Sequence, residues 1–154
     1  MPEMRRNERE IKDREIIDDI IRRCRVCRLG LCDGNQPYIV PLSFGYDGGH
    51  LYFHAAHEGR KIDLIKNNNR ACFEFDILNE IVTADQACGW GMRFESVIGS
   101  GLIETLDETE EKRHALGWIM RQYGSADRDF PEPMLAKTLV LRLQILAISG
   151  KRRP

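Results

Sequence analysis

Between residues 8 and 24 the segment EREIKDREIIDDIIRRC places Ile16, Ile17, Ile20, Ile21 and Cys24 three and four positions apart, with charges between them. That spacing predicts an amphipathic helix over about 8–24. Beyond it, short apolar and β-branched runs alternate with turn chemistry. CRLGLC (27–32), QPYIVPLSFGY (36–46) and LYFH (51–54) read as strands separated by the turns DGN and DGG. A short helix begins near Arg60, with Ile62, Leu64 and Ile65 as its apolar residues, and the asparagine run at 67–69 stops it. RACFEFDIL (70–78) and FESVIGSGLIETL (94–106) read as two further strands. In DETEEKRHALGWIMRQY (107–123), Asp107 is expected to cap a helix, with Glu110 three residues on. Leu116, Ile119, Met120 and Tyr123 form its expected apolar face. GSADRDFPEP then reads as a loop, and AKTLVLRLQILAISGKRR closes the chain as one strand or two.

Six strands with few helices between them do not form a βαβ series. They predict a mainly β fold, a six-stranded antiparallel barrel with peripheral helices, as one domain over 1–154. A 154-residue chain suffices for a single core, since a domain of this size buries roughly 68–70% of its unfolded surface. The net charge of −1 and a pI near 6.4 give no basic field, which argues against a nucleic-acid partner. No apolar run approaches the ~20 residues that cross a bilayer, and the charged start MPEMRRNEREIKDRE is unlike a signal peptide, so a cytoplasmic protein without a membrane partner is expected. Five cysteines, an odd number, fit reduced thiols better than a disulfide framework. Cys24 and Cys27 have the spacing of a metal knuckle, but no second pair follows at zinc-finger distance, so no metal is expected. The thiols are expected to be mostly buried.

The stretch LYFHAAHEGRK (51–61) stands out because Arg60 and Lys61 fall where a helix starts. A helix N-terminus presents unsatisfied N–H groups and partial positive charge, and it favours anionic side chains. Two explanations fit: solvated surface cations, or cations and N–H groups converging on an anion such as a phosphate. Pro41, in the middle of IVPLS, cannot donate to a ladder and is expected at an edge or irregular position.

The succession PYIVPLSFGYDGGHLYFHAAHEGRKIDLIKNNNRACFEF, followed by SVIGSGLIE and the closing LRLQILAISGKRR, resembles the pyridoxamine-5'-phosphate-oxidase-like flavoproteins, and among them the nitroimidazole-resistance branch. The resemblance implies a split β-barrel, a homodimer, and FMN held in a groove between two subunits. It places Tyr38, Ile39, Val40, Pro41, Leu42 and Ser43 along the isoalloxazine ring. Phe53 and His54 would flank the cofactor, Gly59, Arg60 and Lys61 would hold the phosphate, and Ser96 would approach the ring. Where the oxidase branch has basic residues at the two ends of the strand, this chain has Tyr38 and Ser43, which argues against oxidation of pyridoxamine phosphate. The implied activity is transfer of electrons from NAD(P)H to a small organic acceptor, with His54 as the catalytic candidate. Two alternatives stay open: a flavin-binding or sensing protein without turnover, and a split barrel holding haem or a deazaflavin. His50 and His57 are expected at the surface, and Trp90 is either a lid over the ring or an anchor for its glycine-rich loop.

Overall fold

A computed structural model describes residues 3–154. Helix α1 (Arg14–Arg23) buries Ile17, Ile20 and Ile21, and the Asp13 carboxylate caps it by accepting the Glu15 N–H at 2.9 Å. The expected start at residue 8 is corrected. A 3-10 turn (Asn7–Arg9) and a two-residue strand β1 (Glu10–Ile11) come first. Ile11 is held opposite Gly150, whose missing side chain makes the room; a Cβ on Gly150 would lie 2.9 Å from Ile17 and 3.1 Å from Ile11.

Strands β2 (Cys27–Asp33), β3 (Gln36–Leu42), β4 (Gly45–Tyr46) and β5 (His50–Ala55) lead to α2 (Arg60–Asn67). The long strands β6 (Arg70–Val82) and β7 (Gly91–Leu106) follow, then α3 (Thr109–Gln122), α4 (Glu132–Lys137) and β8 (Leu139–Arg153). Six of the eight strands are the expected ones, and β1 and β4 are two-residue additions. QPYIVPLSFGY divides because the chain changes partner within it: β3 pairs with β2, whereas β4 pairs with β5. The strand order is β3-β2-β6-β7-β8-β5-β4, with β1 against β8. Strands two residues apart in the chain therefore stand at opposite ends of the order, so the sheet curls until its ends meet, as a split barrel.

Alternation fills the barrel. Leu29, Leu51, Phe53, Phe73, Phe75 and Val97 are buried inside it, and Phe44 closes one end against Phe75 with ring centroids 4.8 Å apart. A smaller cluster of Tyr52, Leu106, Ala115, Ile119 and Val140 lies under α3. Helix α3 starts one residue after Glu108, and no side chain caps it, so Asp107 is not the cap. Its buried positions are Lys112, Ala115, Gly117 and Ile119. Leu116 and Met120 lie beside that stripe and Tyr123 is exposed, a rotation of the expected apolar face. The rotation follows from Gly45: a Cβ there would lie 2.6 Å from backbone atoms of Trp118 and Ile119, so the helix backbone rests directly on β4. Part of the expected loop and the residues after it form α4, and the closing segment is one 15-residue strand. Among the described residues no helix is long and apolar enough to cross a membrane.

Candidate functional site

Strand β3 lies at the edge of the sheet, and among the described residues its outer side pairs with no other strand. Pro41, which lacks a ladder donor, sits on this strand opposite Arg28 of β2, at an edge as expected. Tyr38, Val40 and Leu42 lean on the core, while Ile39 is 68% exposed and Pro37 and Pro41 face outward. A groove of about 420 Å³ opens along this side, walled by Gly30, Cys32, Pro37, Ile39 and Cys72.

Two contacts bind the segment from β5 to α2 against β3. At one end the Arg60 guanidinium stacks over the Tyr38 ring, 4.5 Å from its centroid, and pairs with Asp33 at 2.9 Å. At the other, His54 Nε2 and Ser43 Oγ are 3.5 Å apart. Gly59 precedes α2 with φ +136, a conformation that side-chain-bearing residues rarely adopt, and so turns the chain sharply into the helix. Arg60 is exposed and Lys61 half-buried in the first turn. Of the expected residues Tyr38 and Ile39 line this groove, which runs across β3, β2 and the start of β6, while the contacts of Arg60 and His54 bring α2 and β5 against the two ends of β3.

Two expected residues fall elsewhere. Phe53 is fully buried in the main core, because Leu51 and Phe53 share the inward face of β5 and leave His54 on the other. Its ring cannot flank a ligand in the groove. Ser96 lies on β7 opposite Asp76 and Lys151. Two strands stand between it and β3, a separation of roughly 14 Å at the ordinary ~4.8 Å spacing. Within one chain it does not join the others.

His54 also borders a cavity of about 200 Å³ between β5, α3 and α4, walled by Leu116, Met120, Phe130 and Met134. Its makers were hard to see in the sequence because Phe130 and Met134 flank the proline-rich connection before β8. The other histidines divide: His57 is exposed as expected, whereas His50 is half-buried with Nδ1 3.1 Å from Asp47 Oδ2. Burial works against the charge of Asp47, but bonds from the Tyr52 hydroxyl and the Gly49 and His50 N–H groups outweigh it and hold the carboxyl below its usual range. Trp90 is 55% exposed and its indole N–H donates to the Ala84 carbonyl at 2.8 Å, so it anchors the hairpin loop of its own chain.

The cysteines correct another expectation: only Cys24 and Cys27 are buried, and Cys32, Cys72 and Cys88 are exposed. Burial pushes the Cys24 thiol up to about 11 and that of Cys27 higher still, so both stay protonated packing residues.

The family model described as pyridoxamine 5'-phosphate oxidase matches residues 13–152. A candidate 5-nitroimidazole antibiotic resistance protein from Bacteroides thetaiotaomicron superposes with a TM-score of 0.84 at 35% identity, over 92% of this chain and 85% of that one. An FAD- and haem-binding protein from Mycobacterium smegmatis superposes at 0.81 with 21% identity, over 94% and 73%, a likeness of fold. An uncharacterised protein of Rhizobium meliloti is 26% identical over 104 residues, 68% of this chain, and the match spans 62% of that protein's length.

Proposed function

The chain belongs to the pyridoxamine 5'-phosphate oxidase family, and we propose that it is an FMN-binding oxidoreductase that passes electrons from NAD(P)H to a small organic acceptor. The observation that carries this is the pair of contacts, Arg60 on Tyr38 and His54 beside Ser43, that brings the start of α2 and the end of β5 against the two ends of β3. The donor set fits the cofactor. Lys61, Arg60 and the N–H groups at the start of α2 suit a phosphate dianion. Arg60 is shared with Asp33, but an exposed ion pair of this kind is worth only about 0–1 kcal/mol, so a phosphate can compete for the guanidinium. The open edge of β3 offers backbone groups beside the apolar wall of Ile39 and Pro41, as a flat ring with one polar edge requires.

Bound there, the flavin would supply the electron transfer itself. The chain's own residues bind and orient it: the α2 start grips the phosphate and the β3 edge lies along the ring. His54, exposed at the end of β5 on the face that α3 covers, is placed to give a proton to the acceptor, with Ser43 Oγ 3.5 Å from its Nε2.

The active unit is a homodimer. Ile39, Ile98, Leu102 and Leu146 are exposed on the barrel, and a two-fold partner is the common way to cover such a surface. Three exposed free thiols suit a reducing cytoplasm. Titration with FMN, then anaerobic addition of NADH or NADPH, tests the activity. The expected results are uptake of one FMN per chain, bleaching by the nicotinamide and recolouring by a small acceptor. A protein that binds FMN but is never bleached by either nicotinamide would be a flavin binder without turnover. An absorption spectrum of haem would replace the flavin altogether.

A further inference from the structure

The knuckle spacing of Cys24 and Cys27 ends in two buried thiols, whereas Cys32 of β2 and Cys72 of β6, far apart in the sequence, are both exposed. The register sets Gly30 opposite Cys72. Cys32, two residues beyond Gly30 and on the same face of β2, is therefore the diagonal neighbour of Cys72. Gly30 puts no side chain between them. A Cβ there would lie 2.5 Å from Cys72 Sγ, so this thiol already leans across onto β2. Both thiols wall the groove of about 420 Å³ that opens beside β3.

Diagonal neighbours stand roughly 7–8 Å apart at Cα, beyond the ~4.4–6.8 Å that a disulfide spans. Two thiolates on one metal ion reach further, because two bonds of about 2.3 Å set the sulfurs up to roughly 4.6 Å apart, against about 2 Å in a disulfide. The rest of the lining selects the ion. It holds no histidine and no carboxylate, and among the described residues no group of three or more metal-binding side chains gathers anywhere. Zinc, which takes four ligands, is unsuited. A soft ion content with two sulfurs, between apolar walls such as Pro37 and Ile39, fits. The one charged side chain at the groove is that of Arg70, two residues from Cys72 on the same strand face.

We infer that Cys32 and Cys72 form a two-coordinate site for a soft monovalent cation, with the chemistry of Cu(I). Binding displaces one proton from each thiol: one Cu(I) and two R–SH give the anion RS–Cu–SR and two protons, with no change of oxidation state. The single negative charge of that product is balanced by the Arg70 guanidinium. The site is built from β2 and β6 alone and stands whether or not a flavin binds.

The test is an anaerobic titration of the full chain, reduced and without added flavin, against Cu(I) held by the coloured chelator bicinchoninate. The wild type and Cys88→Ser, which removes the remaining exposed thiol, should each withdraw one Cu(I) per chain. Cys32→Ser and Cys72→Ser should each weaken that uptake by at least ~100-fold, and Arg70→Gln by roughly 10-fold, the scale of a lost outer partner. All three positions are exposed, so the melting midpoints should stay unchanged. X-ray absorption at the copper edge should show two sulfur neighbours in the wild type. Uptake that survives either serine substitution, or that falls as far in Cys88→Ser, would overturn the site. So would one ion per two chains, which means thiols of separate chains sharing it, or zinc held as tightly as copper.

Discussion

At the residue scale, single hydrogen bonds tie distant segments together. The Tyr123 hydroxyl accepts the Phe44 N–H at 3.2 Å and donates to the Arg25 carbonyl at 2.7 Å, joining the end of α3 to the start of β2 and the β3–β4 junction. Tyr123→Phe leaves both backbone groups without that partner and should cost about 1–3 kcal/mol, read as a lower denaturation midpoint at unchanged slope. Asp47 gives a pH dependence. Its carboxyl titrates below the usual range in the folded chain, so the stability it contributes is present above the unfolded value of about 3.9 and is lost as pH falls through the folded one. Below about pH 4 the wild-type chain should therefore lose stability more steeply than Asp47→Asn, in thermal melts compared across that range. His54→Ala should retain FMN and its reduction by nicotinamide but slow acceptor reduction by roughly 10²–10⁴-fold, the range of a lost general acid. An unchanged acceptor rate at full occupancy would remove His54 from the chemistry. Several of these roles were legible only locally. The alternation of LYFH put Leu51 and Phe53 on one face and His54 on the other, but alternation does not say which face meets a ligand. The buried one took Phe53 out of the site.

At the scale of elements, the helices and long strands were readable because their signals are local: Ile62, Leu64 and Ile65 bury as α2, and Pro41 marks an edge. The division of QPYIVPLSFGY into β3 and β4 was not, because it depends on β5 as a second partner far from β2 in the sheet. The face that α3 buries also depends on a distant residue, Gly45, on which its backbone rests. Gly45→Ala pushes a methyl group against the Trp118 and Ile119 backbone, which cannot move aside. A destabilisation of about 1–3 kcal/mol follows, lowering the melting temperature by roughly 2–4 °C per kcal/mol for a domain of this size. Ser96 shows the same limit. Its strand was foreseen, but its distance from β3 follows from the order of strands in the sheet, which no local pattern encodes. The exposed Cys32 and Cys72 lie on outward positions of β2 and β6, so an apolar sequence context alone misjudged their burial.

At the scale of the whole molecule, curling of the sheet brings the beginning and end of β3 against α2 and β5 and leaves an apolar outer face around Ile39, Ile98 and Leu102. Light scattering should give twice the chain mass of 17.8 kDa. A monomer that still binds FMN tightly would show that one chain completes the site. Whether the cations at the start of α2 hold a phosphorylated flavin is read from the affinity for FMN beside that for riboflavin, in the wild type and in Arg60→Ala/Lys61→Ala. Charge-assisted bonds of about 1.5–3 kcal/mol each predict that the double substitution weakens FMN by at least ~10-fold and leaves riboflavin nearly unchanged. Equal weakening of the two ligands, or none of either, would contradict it.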